Sequence, residues 1–395
     1  MSEPVRIGGL FAGIGGIEQG FHQAGLPVET AMLCEWWQPA QDVLAARFPG
    51  VPIHPDVRDL EAVPEHLDVL AAGFPCTDLS QAGRTAGIKG ANSGLVRHVF
   101  DAVKATKRPP TWLLIENVQN MLALDGGQAM TYLVSAIEAL GYRWAYRLVD
   151  SRFTGVPQRR RRVIMLASAT QDPRTVLFAD EAGPRPESEL NRDAFGFYWT
   201  EGRAGLGWAQ DAIPTIKGGS TIGIASPPAI WVPGAPLEQR FVKPTIEDAE
   251  ELQGFPRGWT AVTGSGVSRK NGPRWKLVGN AVTVGVSEWV ARRIANPGTP
   301  ISSFTQWTSL RWPSAAWGEK GRVWSAEASE FPEHALYRHL LDVVRLADAE
   351  PLSERAAAGF WRRLQQGNLG QYPGFRADLA AYISSHRLVT LGEAG

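Results

Sequence analysis

The stretch "VRIGGLFAGIGGIEQG", Val5 to Gly20, decides the fold. An apolar run of β-forming residues ends in a glycine-rich turn, and the turn opens into a segment with helical spacing. Outward from it the alternation repeats. "ETAMLCE", "LDVLAAGF", "TWLLIEN", "RWAYRLV" and "RVIMLAS" read as further strands. Between them "QPAQDVLAARF", "GLVRHVFDAVKAT" and "GQAMTYLVSAIEALG" read as helices, the last with a glycine stop after Leu140. The pattern predicts an α/β fold with a doubly wound, mostly parallel sheet over residues 1–168.

After Ser168 the texture changes. Residues 169–243 are rich in Gly, Pro, Ser and aromatics, which predicts a smaller, irregular or β-rich domain over 169–276. A helix-like "IEDAEELQG" and a Gly-rich basic loop fall inside it. "AVTVGVSEWVARRI" predicts a helix returning to the first domain, which residues 277–297 complete. "ANPGTPISS" reads as a linker. Residues 300–395 read as a separate, helical C-terminal extension, with amphipathic segments "EHALYRHLLDVVRLA" and "SERAAAGFWRRLQQG".

Composition bounds the function. No apolar run approaches a membrane span, and the N-terminus lacks a signal-peptide layout. Two cysteines cannot form a disulfide framework, which suits a reducing cytoplasm, and the seven histidines form no metal-site spacing. Forty basic residues against forty acidic ones argue against a strongly cationic nucleic-acid binder. Local basic runs remain at Arg84–Arg108, Arg152–Arg162 and Arg257–Lys276, and they point to phosphate contact.

The first turn fails the dinucleotide fingerprint, because Glu18 stands where a third glycine is required. A turn without basic residues suits a ligand that approaches the backbone without phosphates, so Phe11, Gly13 and Gly15 are candidates for contact with a cofactor such as S-adenosylmethionine. Glu35 ends the second strand, where an acid accepts hydrogen bonds from ribose hydroxyls. Trp36 offers a ring face, and Asp56, followed by Val57, sits at the next strand end. Cys76 in "GFPCTDLS" and Glu116 in "LLIENV" each follow a strand, so both can face one crevice. A thiolate beside a carboxylic acid suggests covalent attack on an electrophilic ring. Cys34, inside a strand, reads as core.

In this order, "LFAGIGG", "GFPCTDLS", "ENV", "QRRRRV", "ELQGFP" and "GNAV" resemble the blocks of DNA cytosine-5 methyltransferases, particularly those of bacterial restriction–modification systems. The resemblance covers roughly residues 5–295. It implies an S-adenosylmethionine-dependent methyltransferase fold and methyl transfer to C5 of a cytosine flipped out of duplex DNA. By the same implication Cys76 is the nucleophile at C6, Glu116 holds or protonates N3, and Arg162 binds O2, with Arg160 and Gln158 in support. Asn117 and Val118 complete the turn that fixes the acid. Asn280 and Val282 reach the methionine end of the cofactor. Ser80 and Arg84 belong to a loop closing over the base. Gln158 and the segment Thr215, Lys217, Gly218 and Gly219 are expected to meet DNA, as the core of a target-recognition region. A cognate endonuclease is expected as a functional, not physical, partner of a cytoplasmic monomer.

Three departures stand out: Gly9 where the first block often carries an acid, Thr77 after the cysteine where Gln is frequent, and Glu247–Asp248 in place of an Arg–Glu pair. An RNA cytosine methyltransferase and a silent DNA-binding module are the competing readings. The tryptophans at 307, 312, 317 and 324 suit either core packing or an added surface.

Overall fold

The computed structural model describes residues 3–75, 94–201, 205–218, 227–262, 272–301, 303–309, 311–367 and 369–392. In chain order the strands are β1 (Val5–Leu10), β2 (Val28–Cys34), β3 (Ile53–His54), β4 (Val69–Ala72), β5 (Trp112–Val118), β6 (Arg143–Asp150), β7 (Gln158–Arg159) and β8 (Arg161–Ser168). There follow β9 (Phe195–Glu201), β10 (Gly205–Gln210), β11 (Ile213–Pro214), β12 (Ala229–Trp231), β13 (Phe241–Lys243), β14 (Phe304–Gln306), β15 (Ala315–Glu319), β16 (Arg322–Ala326) and β17 (Glu350–Pro351). The longer helices are α1 (Gly16–Gln23), α2 (Gln38–Arg47), α3 (Val96–Ala105), α4 (Gln128–Ala139), α5 (Ile246–Leu252), α6 (Gly272–Asn280), α7 (Val284–Ala295), α8 (Glu354–Gln366) and α9 (Phe375–Gly392).

The main sheet has ten strands in the order β14-β16-β15-β6-β8-β5-β4-β1-β2-β3. From β3 to β5 every pairing is parallel, and from β5 to β14 every pairing is antiparallel. The chain winds outward from β1 to β3 and then starts again on the other side of β1 with β4. That reversal is a topological switch, where α/β sheets open a crevice at their carboxyl ends. Period-2 alternation explains burial on both faces. Leu113 and Ile115 of β5 join Val99, Phe100, Leu133 and Ile137 on one side. Leu114 joins Ile17, Phe21, Val286 and Trp289 on the other. Strands buried on both faces read as the continuous apolar runs seen in the sequence.

Helix α7 returns to the first domain, against α1. The approach is close: a Cβ on Gly20 would lie 2.5 Å from the Val284 carbonyl and 2.7 Å from the Glu288 nitrogen. Glycine is required at that crossing.

A second, antiparallel sheet runs β10-β9-β12-β13-β17. Residues 300–395, read as a separate region, instead divide between the two sheets. Strand β15 pairs with β6, so residues 304–326 extend the main sheet. Strand β17 pairs with β13, and α8 and α9 cover the second sheet through Phe360, Leu364, Phe375 and Tyr382 against Phe197, Trp231 and Phe241. Trp312 and Trp317 pack against the cores of the first domain. Trp312 lies edge-on to Trp144 at 6.0 Å and donates its indole N–H to the Gly127 carbonyl at 3.0 Å. Trp317 stacks on Trp324 at 4.1 Å, beneath the Arg174 guanidinium.

The helix expected over 333–347 is reduced to Leu340–Val343. Tertiary hydrogen bonds outcompete the helical ladder there: Ala335 and Arg338 donate their backbone N–H groups to the carbonyls of Phe153 and Gly155. Asp211 then accepts from the Leu340 N–H at 2.9 Å. No helix among the described residues is long and apolar enough to cross a membrane.

Gly20→Ala is expected to destabilise the protein by roughly 1–3 kcal/mol through overpacking at the α1–α7 crossing. Urea denaturation of the purified variant checks this.

Candidate active site

Strand β1 ends at Leu10, and Phe11 takes φ 55°, a left-handed conformation that is strained for any residue with a Cβ. The Ala12 N–H donates to the Cys34 carbonyl at 3.1 Å, joining the turn to the end of β2. Glu35 then closes the turn from below. Its Oε2 accepts from the Gly13 N–H and its Oε1 from the Trp37 N–H, each at 2.9 Å. Burial pushes its carboxyl up and these backbone donors pull it back down. Both oxygens keep acceptor capacity for a further hydroxyl.

Trp36 is 73% exposed, although Glu35 before it is buried. An indole held in water by a fixed backbone is available for stacking. Asp56 caps the turn after β3 by accepting from the Arg58 N–H at 2.9 Å. The Arg58 guanidinium beside it holds its carboxyl below the usual range.

These residues surround two adjoining cavities. The larger, about 320 Å³, is lined by Phe11, Gly13, Glu35, Trp36, Glu116 and Asn280 among others. The smaller, about 220 Å³, shares Phe11, Glu35 and Trp36 and adds Asp56 and Val57.

Glu116 reaches the larger cavity from the carboxyl end of β5. Antiparallel pairing sets Val118 opposite Arg162 of β8, and Arg162 Nε lies 2.8 Å from Glu116 Oε1. Asn117 turns the other way. Its Nδ2 donates to the Phe74 carbonyl at 3.0 Å, and its Oδ1 accepts from the Val118 N–H at 2.9 Å. Gly73 sits beside both: a Cβ there would lie 3.8 Å from Glu116 Oε2 and 3.9 Å from the Phe11 carbonyl oxygen. Gly73, Phe74 and Pro75 thus form a cavity wall next to Glu116. Cys76, Ser80, Arg84 and Gly219 lie outside the described residues.

Several expectations are corrected. Gln158 is fully buried and cannot meet DNA. Its Nε2 donates to the Leu252 carbonyl at 3.0 Å, and its Oε1 accepts from the Ile216 N–H at 3.1 Å. Arg160 is equally buried, lines the larger cavity beside Arg162, and donates from its guanidinium to the carbonyls of Ile216, Gly279 and Ala281. Gly15 does not line the cavity: φ 79° turns it inward, where a Cβ would meet the Phe48 ring at 2.3 Å. Gly218 is half-buried and packs against Asn280, since a Cβ there would lie 2.3 Å from Asn280 Oδ1. Thr215 donates its hydroxyl to the Arg159 carbonyl at 2.8 Å, and the Lys217 ammonium lies 4.2 Å from the centre of the Tyr198 ring.

Several arginines of the basic runs have acidic partners among the described residues. Arg152 pairs with Asp150, Arg161 with Glu330, Arg162 with Glu116, Arg257 with Asp248 and Glu251, and Arg274 with Glu247 and Glu250. The departure at Glu247–Asp248 thereby acquires its arginine partners from further along the chain. Among the described residues no cluster of His, Cys, Asp and Glu could hold a metal ion. Cys34 is core, and burial next to Glu35 pushes its thiol up to about 12.

Sequence reasoning missed Lys276 and Trp37, which line the larger cavity with the ammonium 4.5 Å from the ring centre. The usable signal was position: Lys276 lies one helical turn before Asn280, on the same face of α6. It also missed Glu18. This acid in the first turn of α1 is buried, and one of its oxygens lies where a Cβ on Gly9 would be.

The fold is of the α/β methyltransferase type. The description "C-5 cytosine-specific DNA methylase" belongs to the family model that matches residues 5–194. The chain is 46% identical over 376 residues to the type II methyltransferase M2.BsuMI of Bacillus subtilis strain 168, covering 91% of this chain and 93% of that one. It is 27% identical over 303 residues to M.MspI of Moraxella sp., covering 72% and 69%. In shape it resembles the S. pombe Dnmt2 methyltransferase, with a TM-score of 0.54 at 15% identity, covering 74% of this chain and 99% of that one. The Entamoeba histolytica methyltransferase EhMeth gives a TM-score of 0.53 at 13% identity, with the same coverage. At such identities these two likenesses speak for the fold alone. The chain belongs to the C-5 cytosine-specific DNA methylase family and is a DNA (cytosine-5-)-methyltransferase.

Burial raises the Glu18 carboxyl from about 4.5 to about 7. Below that window the group is protonated folded and unfolded alike. As pH rises through it, only the unfolded chain ionises, so stability falls and levels off above pH 7. The loss is about 3 kcal/mol. Urea denaturation at pH 5 and pH 8 is expected to show this fall in the wild type relative to Glu18→Gln.

Proposed function

We propose that this enzyme transfers a methyl group from S-adenosylmethionine to C5 of a cytosine swung out of a specific duplex DNA sequence. We further propose that it is the modification partner in a type II restriction–modification system, as its relatives' names indicate for them. The observation that carries this reading is one linked pair of contacts. Glu116 lies against Arg162 at the cavity wall, while the next residue, Asn117, holds the Phe74 carbonyl two residues ahead of Cys76.

The donor set suits the cofactor: Glu35 for ribose hydroxyls, Trp36 for the adenine face, Asp56 and Val57 for the ring edge, and Phe11, Gly13, Asn280 and Val282 for the amino-acid end. When bound, S-adenosylmethionine supplies its methyl group as an electrophile on a sulfonium.

The protein's own residues then make C5 reactive. The Cys76 thiolate adds to C6, and the C5–C6 π electrons become available at C5. Glu116 holds or protonates N3 at the ring edge, and Arg162 offers its guanidinium to O2. After methylation a base takes the C5 proton, the C6–sulfur bond breaks and the thiolate is restored. The ring is inaccessible while stacked in a duplex, so the base must leave the helix.

Cys76→Ser is expected to lower methyl transfer by roughly a thousandfold or more while S-adenosylhomocysteine binding persists. Glu116→Gln is expected to lower it by roughly a hundred- to ten-thousandfold. Tritiated-methyl transfer to matched duplex DNA and tRNA checks both; retained turnover in Cys76→Ser, or transfer to tRNA alone, contradicts the reading.

A further inference from the structure

Glu18 has no task in the steps above, yet its placement is costly. It is 1% exposed, and its Oε2 has no hydrogen-bond partner among the described residues. Desolvating a carboxylate without a compensating partner costs several kcal/mol. The first turn of α1 favours a negative charge only weakly by comparison.

The carboxylate has a definite seat. A Cβ on Gly9 would lie 1.9 Å from Glu18 Oε1, so the absence of a side chain on β1 is what admits this acid from α1. It also has a definite outlook. Glu18 lines the narrow inner end of the crevice together with Phe11, Gly13, Gly73, Asn280 and Val282. Glu116, paired with Arg162, is the one other titratable side chain in that lining. Asn280, Ala281, Val282 and the glycine turn supply no positive charge there. Among the described residues no cationic side chain lines this inner end, and a buried acid there without a partner calls for a cationic ligand group.

We propose that Glu18 is the counter-charge for the ammonium group at the amino-acid end of the methyl donor. This rests on the S-adenosylmethionine reading above. It makes Glu18 a cofactor-binding residue delivered by a helix, seated over a glycine of the neighbouring strand. The same acid destabilises the empty protein and favours the loaded one. Burial, which pushes the free carboxyl up, reverses in effect once an ammonium lies beside it.

The test uses two probes on the full chain: S-adenosylhomocysteine, which carries the ammonium, and 5′-methylthioadenosine, which lacks the amino-acid end. In Glu18→Gln the affinity for S-adenosylhomocysteine is expected to fall about tenfold to a hundredfold by calorimetry. Affinity for 5′-methylthioadenosine is expected to stay within twofold, with a thermal melt at pH 8 no lower than that of the wild type. A second measurement needs no variant. In wild-type protein at pH 7, S-adenosylhomocysteine is expected to release protons on binding, read from heats in two buffers of different ionisation enthalpy, and 5′-methylthioadenosine is not.

Equal affinities of variant and wild type for S-adenosylhomocysteine overturn the proposal. So does an equal loss for both probes, which would mark a structural role, and so does an absence of proton release. Wild-type protein that binds neither probe removes the methyl-donor reading itself, and this inference with it.

Discussion

One hydrogen bond fixes the wall of the proposed active site: the Asn117 side-chain amide to the Phe74 carbonyl, 3.0 Å across the ends of β5 and β4. Backbone pairing already brings those strands side by side, but pairing alone leaves the chain free to turn anywhere after Ala72. The amide fixes the turn at Phe74. Pro75 then restricts its own φ and, through steric contact, the conformation of Phe74. Because Asn117 immediately follows Glu116, the strand that presents the carboxylate also positions the segment leading to the thiol. Rigid elements carrying neighbouring reactive groups are what catalytic preorganisation requires.

A second constraint ties recognition to chemistry. Gln158 opens the short strand β7, which pairs with β11 of the second domain, and Arg160 follows it. Both side chains are spent on backbone groups, Gln158 on Leu252 and Ile216, Arg160 on Ile216, Gly279 and Ala281. A planar guanidinium with five donors can satisfy several carbonyls at once, which a lysine cannot do. Close glycine contacts, Gly218 against Asn280 and Gly279 against Lys217, let the two backbones meet directly. The segment from Thr215 to Gly218 is therefore packed directly against the Gly-Asn-Ala-Val turn, whose Gly279 and Asn280 line the cavity.

Much of this was legible in the sequence, and the reasons are physical. Strands buried on both faces, the parallel β1, β2 and β4 as well as β5 and the antiparallel β6 and β8, leave continuous apolar runs and could be read directly. Residues at strand ends followed from the same reading, and Phe11, Gly13, Glu35, Trp36 and Glu116 do line one crevice, together with Asn280, which the resemblance implied. The failures share a cause as well. Charge runs carry no record of their partners, so arginines paired with Asp150, Glu330 and Asp248 looked free for phosphate. The amphipathic pattern over 333–347 could not show that Phe153 and Gly155 would take its backbone donors. The small strands β14 to β17 are too short for periodicity to announce, and only the open sheet edges at β6 and β13 give them a place.

What remains is the sulfur. Duplex DNA carrying 5-fluorocytosine at the methylation site blocks loss of the C5 substituent and so arrests the enzyme at its covalent stage. Digestion of the arrested complex and peptide mass spectrometry then report which residue holds the base. Attachment at Cys76 and nowhere else is the expected result. Attachment at Cys34, or methyl transfer to unmodified DNA by a protein that forms no adduct with the fluorinated strand, contradicts the mechanism.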